Sequence, residues 1–144
     1  MYKHILIATD GTELAQRAVA AGLALAKVLK ANVTVVTAAE CWSAMVTGEP
    51  ALVFPIEEYE KAAAESAARI LSAVSAAANA AGIACETEQV NDFPAEAIVA
   101  TAKAKGCDLI VMASHGRRGL SKLLLGSRAL SVLTLSTVPV LVCR

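Results

Sequence analysis

Aromatic residues are scarce: one Trp, two Tyr and two Phe, 3% of a 144-residue chain. That weighs against a flavin site, which asks for aromatic rings stacked on the cofactor. Neither sign of charge is in excess, with 13 Lys+Arg against 13 Asp+Glu, so nothing draws the whole chain to nucleic acid or to an anionic membrane. No apolar run reaches the roughly 18 residues that a membrane span needs, and membrane insertion is not expected. Met1-Tyr2-Lys3-His4-Ile5 leads straight into a strand-like run, so no signal peptide is expected. Cys41, Cys85, Cys107 and Cys143 form no C-x-x-C pair, and His4 and His115 do not extend them to a zinc spacing. The expectation is reduced, mostly buried thiols in a cytoplasmic protein. Internal repeats and low-complexity linkers are missing as well, so residues 1–144 are expected to form one domain.

What is present is apolar and alternating. Hydrophobic residues make up 56% of the chain, much of it alanine, a strong helix former. Ile5 to Thr9 reads as a strand buried on both faces, broken by Asp10-Gly11-Thr12. Glu13 to Lys30 has helical periodicity, with Leu14, Ala18, Ala21, Leu25 and Val28 on one side. Asn32 to Thr37 is β-branched and strand-like. Glu40 to Pro55 has no clear period and reads as a loop or irregular excursion. Ile56 to Ala81 is an alanine-rich helix stopped by Gly82. A more polar strand, Ile83 to Val90, precedes a turn at Asn91-Asp92-Phe93-Pro94. A helix from Ala95 to Lys105, a strand from Asp108 to Ala113, a helix from Ser127 to Ser136 and a strand from Val138 to Cys143 complete the chain. Strands alternating with helices predict an α/β protein: a doubly wound five-stranded parallel sheet, strand order 3-2-1-4-5, with helices on both faces. In that order the topology reverses between the first and fourth strands, and ligands bind beyond their carboxyl ends. Thr9-Asp10-Gly11-Thr12 and Ser114-His115-Gly116 stand there.

The segment Ser114 to Ala129, SHGRRGLSKLLLGSRA, has three glycines, four Lys or Arg and no acid. Beyond Asp108 the chain has no further acid at all, but has Arg117, Arg118, Lys122, Arg128 and Arg144. Gly126-Ser127 stands directly before a helix, with Ser127 a reasonable N-cap. Free amides at such a helix start attract anions. The pattern suits a phosphate site, and equally suits an ordinary solvated loop. It is neither a G-x-x-x-x-G-K-[ST] loop nor a G-x-G-x-x-G fingerprint after the first strand.

The opening K-H-I-L-I-A-T-D-G-T, the late D-L-I-V-M-A-S-H-G, the loop G-R-R-G-L-S-K-L-L-L-G-S and the terminal V-P-V-L-V together resemble the universal stress protein family, over the whole chain. The nucleotide-binding branch of that family carries G-x-x-G, nine residues, then G-[ST]. Gly116, residues 117 to 125 and Gly126-Ser127 match its second half. The first glycine falls on Ala113, a departure of one methyl. The resemblance implies a stress-response regulator that binds ATP, ADP or AMP, with Mg²⁺ carried by the phosphates. It also implies a homodimer. By resemblance, Ala8, Thr9 and Asp10 lie near ribose and phosphates, and Ala38 lines an adenine pocket. Met112 and Ala113 pass close to the nucleotide, and Gly116, Arg117, Gly119, Gly126, Ser127 and Arg128 cradle phosphates. His115 is expected to orient the loop rather than act as a base. Asp10 as a plain turn-former and Ala38 as plain packing are the competing readings.

Dedicated catalysis finds little support. Near the crevice the sequence offers Asp10 and His115, without an acidic pair, a Ser-His-Asp spacing or a metal-ligand cluster; slow ATP turnover is the most it allows. A phosphoacceptor receiver domain would want a second acid beside Asp10. The principal alternative is a dimeric interaction protein of the same fold that binds no nucleotide. Val138 to Cys143 is an apolar final edge strand, which a second copy would cover. The segment Cys41 to Phe54, with the only tryptophan, Trp42, is expected to form a flap or a lid near the adenine.

Overall fold

The computed structural model describes residues 1–39, 56–91, 94–116 and 124–144. The chain alternates strictly: β1 (His4–Ala8), α1 (Glu13–Leu29), β2 (Asn32–Ala39), α2 (Ile56–Ala80), β3 (Cys85–Asn91), α3 (Pro94–Ala104), β4 (Leu109–Ala113), α4 (Ser127–Leu135) and β5 (Val140–Cys143). The sheet has five strands in the order β3-β2-β1-β4-β5, and each pairing is parallel. This is the expected topology, with β1 and β4 side at the point of reversal.

The two faces of β1 explain the layers. Ile5 and Ile7 point into one core with Ala15, Ala18 and Leu23 of α1 and Leu71 and Val74 of α2. Leu6 and Ala8 point into the other, with Ile98 and Ala102 of α3 and Ala129 and Val132 of α4. A strand covered on both sides has no polar face, which is why its sequence is an unbroken apolar run. Ile5, Leu6, Ile7, Ile110 and Val111 are fully buried, each side chain stabilising the fold by roughly 1.5–3 kcal/mol.

Element ends differ from the sequence reading by a residue or two, and the causes are local. Lys30 takes a left-handed conformation, φ 55°, and caps α1 instead of extending it. β5 begins at Val140, since Pro139 has no N–H for the ladder, although its carbonyl accepts from Ile110 N at 3.0 Å. β3 starts at Cys85, later than Ile83, whose N–H bonds back to Ala78 of α2. Ser127 is not the N-cap of α4. That position belongs to Gly126, with no side-chain cap, and Ser127 is the first helical residue. The excursion containing Trp42 lies outside the described residues. Among the described residues no helix is long and apolar enough to cross a membrane.

Candidate functional site

The turn after β1 is built by its own side chains. Asp10 Oδ1 accepts from Thr12 N at 3.0 Å and from Thr12 Oγ1 at 2.6 Å. Thr12 in turn caps α1, accepting from Ala15 N at 3.2 Å. Thr9 Oγ1 accepts from Gly11 N at 3.2 Å. Gly11 has φ 79°, a left-handed conformation that favours glycine, and a Cβ there would stand 2.8 Å from Ile70 Cδ1 of α2, which would have to shift. Asp10 is therefore a turn-former, and its second oxygen, Oδ2, is turned toward the loop after β4.

That loop starts on a buried serine. Ser114, 1% exposed, donates its N–H to Cys143 O of β5 at 2.7 Å and accepts from Gly126 N at 2.8 Å on its carbonyl. Its hydroxyl pairs with His115 Nδ1 at 3.0 Å. One residue thus joins the edge strand, the start of α4 and the His115 ring. Two glycines make the approach possible. At Gly116 a Cβ would stand 3.1 Å from Asp10 Oδ2 and 3.8 Å from Arg128 Nη1; at Gly126 it would stand 2.8 Å from Ser114 O and 3.2 Å from His115 Cα.

Between these segments lies a small, open cleft lined by Ala8, Thr9, Asp10, Ala15, Val36, Ala38, Ile98, Met112, Ala113, His115, Gly116 and Arg128. Its floor is apolar and its rim carries a carboxylate, an imidazole and a guanidinium. It sits beyond the carboxyl ends of β1 and β4, where ligands bind in folds of this kind. Of the residues singled out in the sequence, Ala8, Thr9, Asp10, Ala38, Met112, Ala113, His115, Gly116 and Arg128 meet here. Gly126 does not line the cleft but packs behind it, and Ser127 is exposed at the start of α4. Arg117 and Gly119 lie outside the described residues.

Ala15, Val36 and Ile98 were not foreseen. Val36 had a signal, since it stands two residues before Ala38 and so shares its face of β2. Ile98 had none, because only the packing of α3 brings it to the cleft.

The cysteines are partly as expected. Cys85, Cys107 and Cys143 are free, but only Cys107 is buried and the other two are half-buried. Burial pushes the Cys107 thiol up to about 11, and raises Cys85 and Cys143 above their ordinary value. Among the described residues no three His, Cys, Asp or Glu are grouped to hold a metal ion.

A sequence model of the Universal stress protein family matches residues 1–144. The chain is 31% identical to Universal stress protein YxiE of Bacillus subtilis, covering all of both proteins. Its fold superposes on universal stress protein UspA from Lactobacillus plantarum with a TM-score of 0.85 at 24% identity, covering 99% of this chain and 98% of that one. It also superposes on a universal stress protein solved in complex with cAMP, with a TM-score of 0.72 at 27% identity over 99% and 97% of the two chains.

Proposed function

The chain belongs to the universal stress protein family, and from that premise we propose that it binds an adenine nucleotide in the cleft between β1 and β4, as a regulatory module of a stress response. The observation that carries this reading is the approach of Asp10 and Arg128 around Gly116 on the cleft lining, with His115 beside them, where a Cβ would stand 3.1 Å from Asp10 Oδ2 and 3.8 Å from Arg128 Nη1. The residues fit the ligand. Ala8, Val36, Ala38 and Met112 offer an apolar bed for a base, Asp10 an acceptor for ribose hydroxyls, and Arg128 a cation for phosphate oxygens. Ala113, where the family pattern has glycine, keeps to the same lining. The loop residues Arg117 and Gly119 join the cradle in this reading. The relative bound to cAMP supports an adenine nucleotide as the class; ATP, ADP and AMP are the members proposed. Mg²⁺ comes with the phosphates, keeping water for most of its coordination. The setting is the cytoplasm, where adenine nucleotides are plentiful and thiols stay reduced.

The second part of the proposal is a homodimer through residues 138–143. β5 is an edge strand with Leu141 41% exposed, and Leu130 and Leu133 of α4 are exposed beside it. An apolar edge left open invites pairing, and a second copy closes it.

Calorimetric titration of nucleotide-stripped protein with Mg-ATP, alongside Gly126→Asp, tests the reading. Micromolar binding lost in the variant is the expected result. No binding by the wild-type protein would favour the alternative, a dimeric interaction protein of the same fold.

A further inference from the structure

Ser114 is buried, and among the described residues its hydroxyl has one hydrogen-bond partner, His115 Nδ1, at 3.0 Å. This bears on which way the proton points. If Nδ1 carried the hydrogen, the serine oxygen would accept it and the hydroxyl's own proton would be buried without an acceptor among the described residues, which costs free energy. If the hydroxyl donates to Nδ1, both groups are satisfied and the ring hydrogen must sit on Nε2.

The consequence lies in the cleft. The His115 ring lines it, and Cδ2, the carbon bonded to Nε2, is 3.6 Å from where a Cβ on Gly126 would be. The Cδ2–Nε2 edge therefore lies beside the start of α4, the helix that also brings Arg128 to the cleft. Among the described residues Nε2 has no hydrogen-bond partner from the protein.

We infer that Ser114 is a positioning residue that fixes His115 as its Nε2–H tautomer, so that the imidazole donates a neutral hydrogen bond to a phosphoryl oxygen of the bound nucleotide. This rests on the reading of the cleft as a nucleotide site. Arg128 supplies charge there, and Nε2–H supplies direction. The donor works without protonation of the ring.

Nitrogen-15 spectra of histidine-labelled protein read the tautomer directly, since there are two histidines and His115→Gln assigns them. At a pH where the rings are neutral, His115 should show hydrogen on Nε2 and a hydrogen-bonded Nδ1. In Ser114→Ala the Nδ1 signal should move to that of a free ring nitrogen, and Ser114→Thr, which keeps the hydroxyl, should restore it. Calorimetry with ATP should show about three- to tenfold weaker binding in Ser114→Ala and in His115→Phe, the loss of one hydrogen bond, with Ser114→Thr near wild type. Hydrogen on Nδ1 in the wild-type spectrum would overturn the inference whatever the variants do. So would ATP binding in the wild type that Ser114→Ala leaves unchanged. Failure of the wild type to bind ATP would instead overturn the proposed function, and the ligand contact with it.

Discussion

Replacing Gly126 with alanine adds one methyl directly against backbone atoms of the loop after β4. Gly126 has φ −62° and ψ 154°, a conformation open to any residue, so backbone strain is not the issue. The added Cβ would stand 2.8 Å from Ser114 O and 3.2 Å from His115 Cα, against the 3.4–4 Å of ordinary contact. Both obstacles are backbone or attached to it and cannot rotate aside. Ser114 is held from the other side by its 2.7 Å bond to Cys143 O, so the start of α4 must move. Overpacking of this kind costs about 1–3 kcal/mol. Weakening the 2.8 Å bond from Gly126 N to Ser114 O adds about 0.5–1.5 kcal/mol. The stiffer unfolded chain returns about 0.4–1 kcal/mol. A net loss of about 0.5–4 kcal/mol, centred on ~2 kcal/mol, lowers the melting temperature by roughly 2–13 °C, centred on ~7 °C, in a domain of this size. Scanning calorimetry reads that shift, and titration with Mg-ATP should show binding weakened more than tenfold, because the displaced elements form the rim of the cleft. An unchanged melting temperature together with wild-type affinity would refute the reasoning.

Three further expectations concern other parts of the fold. Asp108 accepts from Lys3 N at 2.8 Å and His4 N at 3.1 Å; burial acts to raise its pKa, but these backbone donors prevail and hold it below the usual value. Stability from a depressed carboxylate is present above its unfolded pKa and lost as pH falls through the folded one, below about pH 4. Asp108→Asn should therefore melt lower than wild type at neutral pH, with the gap closing in acid; a gap constant down to about pH 2 would contradict this. Cys107, with its thiol pushed up to about 11 by burial, should resist alkylation near neutral pH until denaturant is added, as peptide mass spectrometry would report; fast labelling of the native protein would speak against it. Leu141→Lys places a charge on the exposed edge of β5 and should give a monomer by light scattering at tens of micromolar, where wild type should be dimeric; a monomeric wild type would end the dimer proposal.

The sequence by itself determined the fold class and most of the cleft. The unbroken apolar runs of β1 and β4 could only be strands covered on both faces, and strict alternation with helices left a parallel sheet. Given that order, the turns at Asp10 and Ser114–Gly116 had to face each other, because the topology reverses between β1 and β4. Tertiary structure decided what depends on distance across the chain. Gly126 looked like the residue before a serine cap, yet it caps α4 itself, and its lack of a side chain matters because Ser114 O stands directly against it. Ile98 reaches the cleft only through the packing of α3 on the sheet. The pairing of Ser114 with His115 joins neighbours in sequence, but its meaning comes from burial: Ser114 is 1% exposed, and a hydroxyl removed from water gives its proton to an acceptor, which among the described residues is His115 Nδ1.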